Sequence, residues 1–333
     1  MIEVLSTDTP QQLASGIERA ARELRAGGVV ALPTETVYGL AANALDPSAV
    51  KKIFEIKGRP VHNPIIVHVD GLAMARECVE QWTDRAGKLA KAFWPGPLTL
   101  VLPKAAAIPD LVTAGGSTVG IRWPSHPLML AVIRACGFPL AAPSANLSNQ
   151  VSPTNARHVC NQLGERLALV LDGGQCQVGI ESTVVDISGE PARLLRPGMI
   201  HETALLAVLP DLLIGAEGAS PTLKSPGQLK KHYSPKARLM ILEWESDADL
   251  RRKVAGEALE PGRCHIIAHT RIPSDRGFGG VSVIPHDPEA YARALYSELH
   301  ACDHAAAKTI VIEALPKGPE WRAIADRLRR AAS

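Results

Sequence analysis

The sequence predicts an α/β protein with two domains, and three observations support this. Its 333 residues exceed a typical domain of about 150 residues. Short apolar segments typical of β-strands alternate with amphipathic segments along the whole chain. Hydrophobic residues make up 46% of the sequence and charged residues 21%, which is the composition of an ordinary globular protein rather than a disordered one.

Residues 1–206 are predicted to form the first α/β domain. An apolar strand at 2–5 is followed by a helix over 11–28, which two glycines end. The next predicted strands cover 29–34, 64–69, 97–103, 167–172 and 182–187. The loops between them are rich in Pro and Gly, and loops carried on a rigid sheet often hold functional sites. We therefore expect the chemistry to lie in this domain.

Residues 207–236 are predicted to be a linker, because they show little periodicity and contain many Gly, Pro, Ser and Lys residues. A connection of this length is usually either disordered or functional, and both interpretations stay open. Residues 237–333 are predicted to form a small parallel α/β domain, since strands and helices alternate there. The strands are expected at 237–244, 264–270, 281–285 and 308–315, and the helices at 247–259, 288–305 and 320–332.

The charge and the cysteine pattern exclude several classes of protein. The net charge of +2 gives no overall field for nucleic acid, and the longest apolar runs have six residues, far short of a membrane span. The N-terminal sequence lacks a secretion signal, so we expect a cytoplasmic protein without membrane contact. Six scattered cysteines without a C-x-x-C pair predict reduced, mostly buried thiols. The pairs His265/His269 and His300/His304 lack a third ligand, so no structural metal is expected.

The usual Gly-rich phosphate motifs are absent, so an anion-binding site would have to be built in another way. The first candidate is the segment from Lys57 to Asn63. Lys57 and Arg59 flank a glycine at the end of an amphipathic segment, where they could present two cations to one anion. The alternative is a solvated helix end, where cations also suit the helix dipole.

The second candidate is the segment 141–148, which contains Ser144 and Asn146 and is followed by Ser152. Small residues let a ligand approach the backbone, while hydroxyl and amide groups offer neutral hydrogen bonds to phosphate or ribose. The alternative is a plain polar loop with a helix N-cap at Thr154 or Asn155.

Polar residues also interrupt the apolar strands. Arg122 ends one of them and could bind a carboxylate with two parallel hydrogen bonds, or it could form a surface ion pair. His68 could be a ligand or a hydrogen-bonded core residue. Three further positions are uninformative individually but together would complete a site: Arg196, the pair Ser182-Thr183 and the run Thr34-Glu35-Thr36.

Seven motifs in order resemble the threonylcarbamoyl-AMP synthase family, the YrdC-like proteins. The resemblance implies a twisted mixed sheet with helices in the first domain. The linker and the second domain resemble the longer branch of the family, which implies a small Rossmann-like parallel α/β domain. The motifs are PTETVYGLAANA (33–44), KGRPVHNPIIVHV (57–69), WPGPLTLVL (94–102), STVGIRWP (117–124), APSANLSNQVSPT (142–154), ESTVVDI (181–187) and LRPG (195–198).

The resemblance implies a nucleotidyltransferase that joins L-threonine, bicarbonate and ATP into threonylcarbamoyl-AMP and pyrophosphate. The product would feed the threonylcarbamoyl modification of adenosine 37 in tRNA, through downstream threonylcarbamoyl transferase machinery and with possible tRNA contact. Mg²⁺ is expected to arrive bound to ATP, without a prosthetic group.

The resemblance also implies roles for residues that match the family motifs. Lys57 and Arg59 are the expected catalytic cations, and Tyr233 in the linker is expected to close over the nucleotide. The ATP-binding positions are Arg59, Asn63, Thr118, Ser144, Asn146, Ser152, Arg196 and Tyr233. The threonine-binding positions are Thr36, His68, Arg122, Ser182 and the backbone at Ala142.

Two other functions compete with this interpretation. The first is a non-catalytic module that binds tRNA or double-stranded RNA through the same cations, although a near-neutral charge and few aromatics count against it. The second is carbamoyl transfer from another donor, as in larger hydrogenase-maturation proteins with a similar domain. Those proteins need zinc-finger cysteines and an acylphosphatase-like segment, and neither is visible in this sequence.

Overall fold

The computed structural model describes residues 2–215 and 233–332, which divide into two compact units. The first unit contains residues 2–148 and 152–215, and the second contains residues 149–151 and 233–332. The domain boundaries expected at 206 and 237 stay a prediction, because residues 216–232 of the proposed linker lie outside the described residues. A search of the described helices finds none that is both long and apolar enough to span a membrane.

The first unit is built on a ten-stranded mixed sheet, which confirms the predicted fold class. Strands β4 and β6 pair in parallel, whereas β7 runs antiparallel to β4 and β5 runs antiparallel to β6. The strands are β1 (Glu3–Ser6), β2 (Val30–Leu32), β3 (Gly39–Asn43), β4 (Val67–His68), β5 (Leu98–Pro103), β6 (Thr118–Arg122), β7 (Leu140–Ala141), β8 (Leu169–Asp172), β9 (Thr183–Asp186) and β10 (Arg193–Arg196). Their order across the sheet is β1-β8-β2-β3-β7-β4-β6-β5-β9-β10.

Helices enclose this sheet in two hydrophobic clusters. Ala31 of β2 belongs to one cluster and its neighbours Val30 and Leu32 to the other, because successive strand residues point to opposite faces. The second cluster includes Leu24 and Val132 from α1 and α6. The helices are α1 (Pro10–Arg25), α2 (Pro47–Lys57), α3 (Leu72–Glu77), α4 (Asp84–Phe93), α5 (Asp110–Thr113), α6 (Pro127–Cys136), α7 (Ala156–Leu163) and α8 (Glu202–Val208).

Local capping sets the ends of the helices that matter for the site. Helix α2 stops because Gly58 takes the left-handed conformation, so Lys57 is its last residue. Helix α7 begins at the side chain of Asn155, which accepts a hydrogen bond from the His158 N–H. Of the two N-cap positions in the alternative interpretation of this segment, Thr154 and Asn155, the structure shows Asn155.

The second unit has a four-stranded, fully parallel sheet, as the sequence predicts. Its core includes Trp244, Leu250, Val254 and Ile266. The strands are β11 (Arg238–Leu242), β12 (Cys264–Ala268), β13 (Gly280–Val283) and β14 (Thr309–Glu313), in the order β11-β14-β12-β13. The helices are α9 (Asp247–Gly256), α10 (Pro288–His304) and α11 (Arg322–Ala331).

Candidate active site

Three neighbouring strands bring together residues that were predicted to bind threonine. In β4, His68 pairs with Arg122 of β6 on one side and with Leu140 of β7 on the other. The Ala142 N–H donates to the Ile66 oxygen at 3.1 Å, which places Ala142 immediately beyond β7. His68 and Arg122 are 3% and 4% exposed. The sheet thus buries Arg122, the candidate carboxylate-binding arginine, beside His68.

Arg122 forms an ion pair with Glu35, whose carboxylate Oε1 lies 2.8 Å from the Arg122 Nη2 atom. The ion pair of the alternative interpretation therefore exists, but both side chains are buried, so its predicted surface location is wrong. Burial, followed by the positive charge of Arg122, lowers the pKa of His68 to about 3. The His68 imidazole is therefore neutral at physiological pH.

The loop that carries Thr36 is held by its own hydroxyl groups. The Thr34 hydroxyl donates its one proton to the Val37 carbonyl at 2.6 Å. The Thr34 hydroxyl oxygen must therefore accept from the Thr36 hydroxyl, at 2.8 Å. The Gly179 N–H donates to the Thr36 carbonyl at 3.1 Å. These bonds hold Thr36 in one buried conformation.

Ser182 and Arg196 contact each other, although one was predicted on the threonine side and the other on the nucleotide side. Arg196 donates from Nε to the Ser182 carbonyl at 3.0 Å and from Nη2 to the Ser182 hydroxyl at 3.1 Å. The Thr99 hydroxyl lies 2.8 Å from the same Ser182 oxygen. A Cβ at Gly198 would lie 2.4 Å from the Thr183 nitrogen. Only glycine therefore lets the backbone at position 198 lie this close to Thr183.

Lys57 connects the end of α2 to the second candidate segment. Its ammonium donates to the carbonyls of Ser144 and Asn146, both at 2.5 Å, and lies 3.4 Å from the Asn146 side-chain oxygen. Burial, and then the charge of Arg59, lowers the pKa of Lys57 well below its usual 10.5. Lys57 is only 2% exposed, so the alternative of a solvated helix end is wrong.

Arg59 and Asn63 lie in one tight turn after α2. Arg59 donates from Nε to the Asn63 carbonyl at 3.1 Å and from Nη2 to the Pro64 carbonyl at 2.8 Å. Arg59 and Asn63 are both buried, at 7% and 1% exposure. The turn therefore orients the guanidinium through backbone carbonyls.

Two other predicted nucleotide residues occupy different positions. The Ser152 hydroxyl donates to the Glu181 carboxylate at 2.6 Å, and both groups are buried. Thr118 begins β6 and Arg122 ends it, so about 13 Å of extended strand separates them. The structure therefore does not bring Thr118 next to Arg122.

Tyr233 belongs to the second unit and is buried there. Its ring stacks on Tyr296 with a centroid distance of 6.1 Å, and the Arg327 guanidinium carbon lies 5.3 Å from the ring centre. The role expected for Tyr233 over a nucleotide stays a prediction.

Buried polar atoms without a hydrogen bond are unusual in folded proteins, and several lie on predicted site residues. Among the described residues, no hydrogen bond reaches either carboxylate oxygen of Glu35, the Nδ1 of His68 or the Nε and Nη2 of Arg122. The side-chain oxygen of Asn63 has the same property. These atoms are the ones that a polar ligand would satisfy.

The sequence predicted no individual role for Glu35 or Glu181, although both lie inside the motifs and Glu35 belongs to a run that could help to complete a site. Each acid stands beside hydroxyl residues, a pattern also common in exposed loops. The available signal was their position next to apolar strands, where an unpaired charge is costly.

Fold and site together define a class of protein: a mixed α/β protein whose first unit buries four of the predicted site cations. Lys57, Arg59, Arg122 and Arg196 are each at most 7% exposed. An RNA backbone is bound by cations displayed on a surface, so enclosed cations favour a small anionic ligand instead.

Comparisons with known proteins identify the family. A Sua5/YciO/YrdC family model described as "Telomere recombination" matches residues 22–198, and one described as "Threonylcarbamoyl-AMP synthase, C-terminal domain" matches residues 199–333. The threonylcarbamoyl-AMP synthase of Pyrococcus abyssi is 38% identical over 323 residues, covering 95% of this chain and 94% of the relative. The synthase of Bacillus subtilis is 40% identical over 336 residues, covering 98% and 94%.

A solved structure agrees with this result. The crystal structure of P. abyssi Sua5 complexed with L-threonine matches with a TM-score of 0.90 and 36% identity, covering 100% of this chain and 97% of that one. The chain therefore belongs to the threonylcarbamoyl-AMP synthase family.

Proposed function

We propose that this chain is a nucleotidyltransferase that condenses L-threonine, bicarbonate and ATP into threonylcarbamoyl-AMP and pyrophosphate, for modification of position 37 in tRNA. The observation that carries the proposal is the buried Arg122, whose Nε and Nη2 atoms have no hydrogen-bond partner among the described residues. The family supports it, because its relatives are named threonylcarbamoyl-AMP synthase and one was solved with L-threonine.

In this proposal the amino-acid subsite surrounds Arg122. Its Nε and Nη2 atoms form two parallel hydrogen bonds with the substrate carboxylate. Neutral His68, the hydroxyls of Thr36 and Ser182, and the backbone at Ala142 hold the amine and the hydroxyl. A site that pairs the threonine hydroxyl rejects valine, because valine would leave those polar groups unpaired.

The nucleotide subsite uses Arg59 and Arg196 as cations, with neutral donors around them. The ammonium of Lys57 contributes positive charge and also holds the loop that carries two of those donors. Mg²⁺ enters as part of the ATP substrate, held by phosphate oxygens and water. The neutral donors are Asn63, Thr118, Ser144, Asn146 and Ser152.

The chemical step brings two anions together. A carbamate oxygen forms a bond to the α-phosphorus of ATP, and the bond from that phosphorus to the bridging oxygen breaks, so pyrophosphate leaves with the electron pair. Clustered cations lower this barrier by stabilising the charge that develops on the phosphoryl oxygens. Positioning the carbamate in line with the leaving group supplies the rest.

We also propose the remaining parts of the cycle from the family resemblance. Tyr233 closes over the nucleotide and shields the labile adenylate from water. The adenylate then passes to downstream threonylcarbamoyl transferase machinery, and this chain itself makes contact with tRNA.

Pyrophosphate release tests the proposed function. The purified protein is given MgATP with L-threonine and bicarbonate, then with each omitted in turn, and the nucleotide products are weighed after rapid quenching. We expect release to require both substrates and to yield an adenylate heavier than AMP by the threonylcarbamoyl group. Release without either substrate, or no release at all, would contradict the proposal.

A further inference from the structure

The carboxylate of Glu35 is the most unusual buried group near the proposed amino-acid subsite. Glu35 is 6% exposed, and no hydrogen bond reaches either of its carboxylate oxygens within residues 2–215 and 233–332. The Arg122 Nη2 atom lies 2.8 Å away in an ion pair. One ion pair leaves most lone pairs of a buried carboxylate unsatisfied, an arrangement that costs stability unless a ligand completes it.

The backbone holds this carboxylate in place. The Val178 N–H donates to the Glu35 carbonyl at 2.7 Å. The hydroxyl oxygen of Thr34 accepts from the N–H groups of Thr36 and Val37, both at 3.2 Å. The main chain on both sides of Glu35 is therefore fixed. Its carboxylate pairs with Arg122 and also interacts electrostatically with the titratable side chains of His126 and Cys176. Pre-organisation of this kind is typical of a group that meets a substrate.

We propose that Glu35 binds the α-ammonium group of the amino-acid substrate and accepts the proton that the amine must lose before it can be carboxylated. This rests on the proposed function, because it takes Arg122 as the group that binds the substrate carboxylate. An α-amino acid carries its carboxylate and its ammonium on one carbon. Arg122 and Glu35 present the complementary charges side by side, so one substrate satisfies both.

The proton transfer completes the chemistry of carbamate formation. The ammonium gives one proton to Glu35 and becomes a neutral amine, while the Glu35 carboxylate becomes a carboxylic acid. The amine nitrogen then forms a bond to the bicarbonate carbon; the second amine proton leaves with the bicarbonate hydroxyl as water. The products are the carbamate anion, water and protonated Glu35, which balances both charge and atoms.

The test compares binding of L-threonine and (R)-3-hydroxybutyrate, which lacks only the amine, by calorimetry without ATP or bicarbonate. In the Glu35→Gln variant we expect L-threonine to bind about 10- to 100-fold more weakly, because a hydrogen-bonded charge pair is lost. Binding of (R)-3-hydroxybutyrate should stay equal or become tighter, since Arg122 no longer pairs with an acid. The matched control is Glu313→Gln, a buried carboxylate of the second unit, which should bind both ligands normally.

Two outcomes would overturn the inference: unchanged L-threonine affinity in Glu35→Gln, or equal weakening for both ligands, which would make Glu35 only a structural counter-ion. A circular dichroism spectrum of each variant establishes that it is folded. These binding measurements need no turnover, so they remain decisive for the ammonium contact if pyrophosphate release fails.

The pH dependence of the rate tests the proton transfer separately. In Glu35→Gln, kcat/KM for threonine should rise more steeply with pH than in the wild type, because more substrate arrives already deprotonated. Parallel profiles for the two proteins would overturn the proton-accepting role. Steeper dependence together with selective loss of L-threonine binding supports the full proposal.

Discussion

Two buried glutamates, one in each unit, have opposite environments. The Glu35 carboxylate has no hydrogen bond among the described residues and forms an ion pair with Arg122. Glu313, at the end of β14, accepts from the backbone N–H groups of His269, Thr270 and Arg271 at 2.7, 2.9 and 3.2 Å, and also from the Thr270 hydroxyl. The first carboxylate is left for a ligand, whereas the second is used to join two strand ends.

The pKa of Glu313 shows that its hydrogen bonds outweigh the effect of burial. Burial alone raises the pKa of a carboxyl, but the hydrogen bonds from the Thr270 hydroxyl and the three backbone groups outweigh it, so the pKa of Glu313 lies below its ordinary value of 4.5. A satisfied buried carboxylate stabilises a fold, and an unsatisfied one reduces stability in exchange for binding. The contrast separates structural from functional polar groups without reference to any motif.

Lys57 does not fit this division into structural and functional polar groups. Of the changes considered, its replacement should have the largest effect on the rate. Its ammonium is saturated by protein oxygens and yet lies in the candidate site. We expect Lys57→Ala to lower adenylate formation at least about 100-fold, because the loop with Ser144 and Asn146 loses its anchor and the site loses a cation. Initial rates of pyrophosphate release measure this.

The matched control for this change is Lys51→Ala on the same helix, since Lys51 is 72% exposed and forms a surface pair with Glu55. It should retain the wild-type rate. A near wild-type rate in Lys57→Ala would remove Lys57 from the site. A loss of rate with unchanged thermal stability would show that its charge, not its anchoring contacts, accounts for the effect.

Glu313→Gln tests the structural side of the comparison. Gln presents an NH2 group to backbone donors that require an acceptor, so we expect the second unit to lose about 2 kcal/mol of stability at pH 7. Hydrogen exchange of peptides from β12 and β14 measures this locally, because a chain of two units need not unfold in one step. The control Glu260→Gln alters an exposed pair with Arg263 and should change little.

The same variant should also change the pH dependence. Because the folded pKa of Glu313 lies below the unfolded value of about 4.5, its stabilising contribution is present above that pH. The contribution is lost as the pH falls from about 4.5 through the folded pKa. Protection of β14 in the wild type should therefore fall over this range, while Glu313→Gln should lack this component. Identical pH profiles would contradict the assignment.

Sequence reasoning predicted every strand and α-helix described in the second unit, because its strands are strongly apolar and its helices clearly amphipathic. In the first unit it missed β3 (Gly39–Asn43), β7 (Leu140–Ala141) and β10 (Arg193–Arg196). Strands β3 and β7 are short and rich in Ala or Gly, so pairing with neighbours rather than β-propensity makes them strands. Local propensity cannot report such tertiary pairing.

In the candidate site, too, local sequence indicates some residues, whereas others are recognised only from long-range contacts. The motifs indicated Lys57, Arg59 and Arg122, but local sequence could not distinguish a solvated helix end from a buried cation. Glu35 received no individual role because its partner Arg122 lies 87 residues further along the chain. Burial and long-range pairing are properties of the folded chain, and they decide which polar groups are left for a ligand.

Arg122→Lys is the smallest and most selective of these changes. Lysine keeps the positive charge beside Glu35 but cannot form two parallel hydrogen bonds with a carboxylate. We therefore expect about 10-fold weaker L-threonine binding, with little change in thermal stability, because the Nε and Nη2 atoms make no hydrogen bond that the described part of the chain would lose. The matched control is Arg134→Lys, which changes a 59% exposed arginine near Asp70 and should leave threonine binding unaltered. If Arg122→Lys binds L-threonine as tightly as the wild type, Arg122 does not hold the carboxylate. A large loss of stability would instead place Arg122 with Glu313, among the groups that serve the fold.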